Sequence, residues 1–269
     1  MNPPVALTIA GSDSGGGAGI QADLKTFAAL RVYGTSAITA LTAQNTIGVR
    51  GVHATPTDFV VAQIDAVLDD LPVGAVKTGM LATAATVEAV AALAAAGRLP
   101  HLVVDPVMVS SSGDRLLEPS AEVAYRSLLF PHATVVTPNL REAEVLLGTP
   151  IRNRDDQHAA ARALGDLGAA AAVVKGGHPA GEATGEAVDV VWDGKEAYEL
   201  HGPWIDTPNN HGTGCSFAAA TAAHLAQGDD LRTALEGAKA FVSRAVAGGA
   251  HWRLGTGHGP LDHFGWADA

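Results

Sequence analysis

Apolar, β-branched runs recur along this chain between Ala- and Leu-rich stretches of helical spacing. The runs span Val5 to Gly11, Ser36 to Asn45, Val76 to Met80, Leu102 to Val109, Ala133 to Asn139 and Ala171 to Gly177. Their near-continuous hydrophobicity predicts strands buried on both faces, the pattern of a parallel sheet. Between them, Ala22 to Leu30, Phe59 to Leu71, Ala84 to Ala96, Ala121 to Leu128, Arg141 to Leu147 and Asp155 to Leu167 carry helical periodicity with frequent Gly or Pro stops. Strand alternates with helix, which predicts an α/β fold: a mainly parallel central sheet flanked by helices on each face. AVDVVWDG followed by KEAYELHG reads as a hairpin turning at Asp193 and Gly194, adding small antiparallel edge strands. No linker, charge block or repeat divides the sequence, so residues 1–269 are expected to form a single domain.

Composition narrows the function classes. The chain is 47% hydrophobic and 17% charged, which suits a folded protein, and no apolar run approaches the roughly 20 residues of a membrane span. The start MNPPVALTIAG lacks the basic region and cleavage site of a signal peptide, and the lone cysteine, Cys215, fits a reducing compartment; both point to the cytoplasm. A formal net charge of -11 argues against nucleic acid or an anionic membrane as partner, so any phosphate must be held by a local site.

Ligands of open α/β sheets gather at the carboxyl ends of the strands. Gly11 to Asp13, Gln44, Lys77 to Met80, Asp105, Asn139 and Lys175 are all expected there. GSDSGGGAG (Gly11 to Gly19) has neither the lysine nor the spacing of the known phosphate loops and reads as a strand-to-helix turn, with Gly15 to Gly17 a candidate mobile flap. The stronger signal is HGTGCSFAAATAAHLAQG (His211 to Gly228). Gly212, Thr213 and Gly214 let the backbone turn just before an Ala-rich helix, aiming N–H groups outward at the positive end of its dipole, which makes an anion site. Asp105 ends an apolar strand and Glu142 opens a helix; acids so placed call for a cation, and magnesium is the one phosphoryl transfer uses. Cys215, at the start of the Ala-rich helix, is expected to have a lowered pKa and to be available as a base.

Taken in order, GSDSGGGAGIQADLKT, TALTAQNTIGV, VKTGM, DPVM, TPNLREAE, VVKGGH and NHGTGC closely resemble the hydroxymethylpyrimidine and phosphomethylpyrimidine kinases, along essentially the entire chain. That family belongs to the ribokinase-like superfamily. The resemblance implies a three-layer sandwich, a dimer, and ATP and Mg2+ as cofactors. It also implies transfer of the ATP γ-phosphate to a hydroxymethyl aminopyrimidine and then to the resulting monophosphate, for thiamin assembly. It carries Gly11, Asp23, Gln44, Met80 and Val107 over as pyrimidine-site residues, Asn139, Lys175, Gly176 and Gly177 as the nucleotide side, and Gly212, Thr213, Gly214 and Cys215 as the catalytic turn, with Asp105 and Glu142 still the candidate metal site. An amide such as that of Gln44 pairs an acceptor with a donor, matching an exocyclic amine beside a ring nitrogen. Most kinases of the superfamily place an aspartate where Cys215 stands; the pyrimidine kinases carry cysteine. Asn210 replaces a threonine common in the family, and Ser110 to Gly113 lacks a lysine that some relatives have.

Other readings use the same residues. A pyridoxal kinase would need the same phosphate chemistry. His211 and Cys215, four residues apart, are also a candidate pair for a thiol hydrolase or acyltransferase, and a ligand sensor would keep the pocket without turnover.

Overall fold

Paired neighbours in the strands point to opposite sides of one sheet and bury on both. In the computed structural model, which describes residues 2–108, 119–177 and 185–268, Leu7, Val76, Val104, Val136, Val174 and Val190 belong to one apolar core, whereas Ala6, Ala75, Val103, Val135, Val173 and Val191 belong to another. The strands are β1 (Val5–Asp13), β2 (Tyr33–Gln44), β3 (Val49–Ala54), β4 (Val73–Thr78), β5 (Val103–Val104), β6 (Val135–Val136), β7 (Ala172–Lys175), β8 (Glu186–Trp192) and β9 (Ala197–Pro203). They form one nine-stranded sheet in the order β3-β2-β1-β4-β5-β6-β7-β8-β9. Pairs from β2 through β7 are parallel, while β3, β8 and β9 join antiparallel.

Helices α1 (Gly19–Ala29), α7 (Thr213–Gln227) and α8 (Leu231–Gly249) cover one face, with Phe27, Phe217, Leu235 and Phe241 in its core. The other face carries α2 (Thr57–Leu68), α3 (Ala84–Ala95), α4 (Pro119–Ala124), α5 (Leu140–Leu147) and α6 (Arg154–Asp166), which contribute Ile64, Val87, Ala121, Leu146 and Leu164. The three layers agree with the ribokinase-like expectation. No helix among the described residues is long and apolar enough to cross a membrane.

Some elements depart from the periodicity. β5 and β6 are only two residues each, because Pro106 and Pro138 follow closely and can donate no ladder hydrogen bond. The helix expected over Ala121 to Leu128 ends as α4 and continues through a π turn, Tyr125–Leu129, and a 3-10 turn, Phe130–His132. β3 and α8 were not legible as elements: β3 is almost wholly exposed, and the buried stripe of α8 mixes alanine, Lys239 and Gly249 with its few large apolar residues. Val109, Ser110 to Gly113 and His178 lie outside the described residues.

Candidate active site

The order of strands reverses beside β1, whose neighbours are β2 and β4, and crevices open at such points. Here the ends of β1, β2, β4 and β7 and the residues just after β5 and β6 meet the start of α7. A cavity of about 150 Å3 is lined by Gly11, Asp13, Gln44, Lys77, Met80, Asp105, Val107, Asn139, Glu142 and Lys175, together with the turn from Asn210 to Cys215.

One of its walls is the beginning of α7. Gly212 caps that helix at φ 86°, with no side-chain cap bond, so the first helical N–H groups have no intrahelical acceptor. A Cβ on Gly212 would run into the carbonyl oxygen of Gly17, which packs the glycine loop against the turn. The loop is itself tied down: Asp13 accepts from the N–H groups of Gly15, Gly17 and Ala18, and Lys25 Nζ donates to the Gly16 carbonyl. This bonding runs against the expected flap at Gly15 to Gly17. Burial works against the Asp13 charge, but the His211 hydrogen bond and the backbone N–H groups outweigh it and hold the carboxyl below its usual range.

The predicted pyrimidine residues separate into two sets. Gly11, Gln44, Met80 and Val107 line the cavity together. Met80 and Val107 pack as a small apolar cluster with Ala40 and Ala82, and a side chain on Gly11 would strike the Met80 methyl. Asp23 is elsewhere. Fully buried, it accepts from Lys77 Nζ at 2.8 Å and from Thr8 Oγ1 at 2.6 Å and does not line the cavity. Lys77, which the sequence only placed near the ligand, stands between Asp23 and the site, and the Asp23 carboxylate keeps its ammonium charged against the opposing effect of burial.

Asp105 is 2% exposed and accepts from Lys175 Nζ at 2.8 Å; Thr137 Oγ1 lies 3.3 Å away. Glu142 and Asn139 form a reciprocal cap at the start of α5. Burial, opposed by Lys175 and reinforced by Asp105, pushes the Glu142 carboxyl up to about 7. Among the described residues no group of three or more acidic, His or Cys side chains could hold a metal ion by itself. Two buried carboxylates, one of them short of compensating charge, do offer the hard oxygens a magnesium ion takes when nucleotide phosphates and water complete its shell. The raised Glu142 value has a measurable cost. Folded Glu142 holds its proton through the range where the unfolded residue loses it, so its contribution to stability is full at acid pH and is lost as pH rises through about 7. Glu142→Gln, which keeps an oxygen for the Asn139 N–H, is therefore expected to match the parent at acid pH. It should exceed the parent by about 3 kcal/mol above pH 8. Denaturant unfolding without divalent cations checks this.

Cys215 reverses the expectation from its place at a helix start. Burial raises the thiol, Lys77 opposes that, Asp23 and Asp105 add to it, and the result is about 11. The thiol keeps its proton at neutral pH. His211 Nε2 is turned to other partners, 3.0 Å from Asp13 Oδ2 and 3.2 Å from the Gln44 side-chain nitrogen, and no hydrogen bond joins the imidazole to the thiol among the described residues. A thiolate–imidazole pair of the hydrolase kind is therefore not assembled.

A second cavity, about 360 Å3, shares Asn139, Lys175, Asn210, Thr213 and Gly214 with the first. Trp204, Ile205, Phe217, Val242 and Val246 give it an apolar lining with Asp189 and Lys239 at 2.8 Å from each other. Gly176, expected on the nucleotide side, lies behind this cavity: its N–H donates to Asp189 Oδ1 at 3.0 Å, and a Cβ there would strike the Val188 carbonyl. Gly177, expected on the same side, does line the cavity. The sequence reading missed Trp204, Ile205, Lys239 and the α8 valines because they belong to no motif; only the buried stripe of α8 could have hinted at them.

Comparison with known proteins agrees with this geometry. Residues 13–262 match the family model described as phosphomethylpyrimidine kinase. The chain is 49% identical to a hydroxymethylpyrimidine/phosphomethylpyrimidine kinase of Streptomyces coelicolor, over 99% of this chain and 96% of that one. It is also 49% identical, over 96% of its own length, to the thiamine biosynthesis bifunctional protein ThiED of Geobacter sulfurreducens, of which it spans about half, 52%. Among solved structures, the pyridoxal kinase of Staphylococcus aureus in complex with ADP superposes with a TM-score of 0.89 at 39% identity, covering 99% of this chain and 95% of that one.

Proposed function

The chain belongs to the phosphomethylpyrimidine kinase family of ribokinase-like phosphotransferases, and from that premise we propose that it moves the γ-phosphoryl group of ATP onto 4-amino-5-hydroxymethyl-2-methylpyrimidine and then onto the monophosphate so formed. The observation that carries this reading is the junction of two cavities at Thr213 and Gly214. The smaller, with Gln44, Met80 and Val107, suits a single substituted ring; the larger, apolar one suits the nucleotide. The transferred group would pass at their meeting point, over the N–H groups of α7, where developing charge is stabilised without reorganisation. Lys175, between Asp105 and the junction, would follow the phosphates. Asp105 and Glu142 would hold magnesium, which supplies neutralisation of phosphate charge when bound. We take residues 1–269 as one kinase domain, supported by the unbroken sheet. Use of ATP and a single thiol fit the cytoplasm.

The test offers the protein ATP and magnesium with hydroxymethylpyrimidine, its monophosphate or pyridoxal in separate reactions, with products followed by mass. Turnover of both pyrimidines well ahead of pyridoxal is expected. Preference for pyridoxal would reassign the acceptor, and no turnover of any would leave a sensor.

A protonated thiol is a poor base. Cys215→Ala is therefore expected to slow both transfers by similar factors, on the order of tenfold, through lost positioning. The comparison of kcat for the alcohol and for the monophosphate decides it: a loss of about 10² to 10⁴ confined to the alcohol would make the thiolate its general base after all.

We also take the protein to be a dimer, through the edge of the sheet at β3. Leu41, Ile47 and Val52 there are 50%, 64% and 48% exposed, and an open edge of this kind invites pairing. Sedimentation should show two copies for the parent and a shift to monomer for Val52→Lys.

A further inference from the structure

Resting on that reading, the hydrogen-bond inventory around Gln44 decides which way its amide faces. The Gln44 side chain has Oε1 3.1 Å from Thr42 Oγ1 and Nε2 3.2 Å from His211 Nε2. Thr42 has one proton to give and lies 3.0 Å from the Ser12 carbonyl, which can only accept; that proton goes to Ser12 and leaves Thr42 an acceptor toward Gln44. On the other side, His211 Nε2 lies 3.0 Å from Asp13 Oδ2. The Asp13 carboxylate collects the N–H groups of Gly15, Gly17 and Ala18 and can only accept, so His211 Nε2 must carry a hydrogen. An amide NH2 facing that N–H, and an amide oxygen facing a hydroxyl with no proton left, are both mismatched. Exchanging the two amide atoms, which have the same shape, gives the Thr42 hydroxyl a donor and lets the Gln44 oxygen share the single His211 N–H with Asp13, which removes both mismatches.

We propose that Asp13, acting through His211, turns the Gln44 amide so that its oxygen faces His211 and its NH2 faces Thr42, which makes His211 the positioning residue for recognition of a 4-aminopyrimidine edge. One lone pair and one N–H of Gln44 then remain for the ligand. The oxygen accepts from the exocyclic amine on the His211 side, and the N–H donates to the ring nitrogen on the Thr42 side. A ring without the amine leaves the Gln44 oxygen without a ligand donor, so discrimination rests on an orientation that His211 holds. The same histidine immediately precedes Gly212, so substrate orientation and the phosphate-binding turn share one anchor.

Two measurements test this on the full chain. Calorimetry compares binding of the aminopyrimidine alcohol with its 4-deamino analogue in the parent, Gln44→Ala, His211→Leu, His211→Gln and Gln44→Ala/His211→Leu. The parent should prefer the amine by roughly tenfold or more. His211→Leu should lose most of that preference, His211→Gln, whose amide can donate, should recover part, and the double variant should lose no more than Gln44→Ala. A preference retained in His211→Leu overturns the proposal. Independently of any substrate, a long-range 1H–15N correlation of the histidine rings should show His211 Nε2 protonated, and an unprotonated Nε2 overturns it equally. A protonated Nε2 in a parent with no preference for the amine would instead remove the aminopyrimidine reading, and the specificity role with it.

Discussion

Gly212→Ala is expected to lower kcat for both phosphoryl transfers by about 10²- to 10³-fold, the usual cost of losing one preorganised donor to developing charge. Two effects combine. At φ 86° a residue with a Cβ is strained by about 1 to 2 kcal/mol, and that Cβ would run into the Gly17 carbonyl oxygen. The turn must shift to relieve both, and the N–H groups of Gly214 and Cys215 shift with it. Gly228, at the other end of the same helix, provides the control. Its φ is 95°, but nothing lies within 4 Å of a Cβ placed there. Gly228→Ala should therefore lose stability of the same order with kcat unchanged. Steady-state kinetics of the two variants, beside their unfolding curves, separate backbone strain from displacement of the anion site. Equal kcat for Gly212→Ala and the parent would mean that the turn does not receive the transferred group.

Lys77→Met should be the most destabilising single change near the site, at about 3 to 5 kcal/mol, because it strands a buried carboxylate. Both side chains of the Lys77–Asp23 pair are 0% exposed, and Thr8 Oγ1 is the remaining partner of Asp23 in the buried interior. Met fills much of the lysine volume, so the loss measures charge rather than a cavity. Adding Asp23→Asn to Lys77→Met should recover most of it, since a neutral amide costs far less to bury. Denaturant unfolding of the two single variants and the double gives the coupling directly. If Asp23 touched the pyrimidine, Asp23→Asn alone would raise KM while sparing stability; the geometry places its effect on stability instead.

The contrast between Asp23 and Gln44 shows where sequence reasoning reached and where it stopped. Both sit in motifs of the resemblance. Gln44 ends β2, where alternation and position alone aim a polar side chain toward the crevice, and it lines the cavity. Asp23 lies on the buried side of α1, and no pattern in the chain announced that Lys77, 54 residues away, would occupy the space before it. Gly176 is a similar case: its neighbour Lys175 reaches the junction, but the glycine serves close packing against β8.

The sequence by itself determined the α/β alternation, the parallel centre of the sheet, the helix-start turn at Gly212 to Gly214 and the gathering of Asp105, Asn139 and Lys175 at strand ends. These follow from local rules of periodicity, backbone freedom and strand direction, which act over a few residues. Only the tertiary structure decided the larger apolar cavity lined by Trp204, Ile205 and the α8 valines, the protonated state of Cys215 and the meeting of Asp13, His211 and Gln44. Each of these depends on burial and on charges brought together from distant segments. The helix dipole at Cys215 is a local effect favouring the thiolate, but burial outweighs it, and burial is a property of the assembled fold.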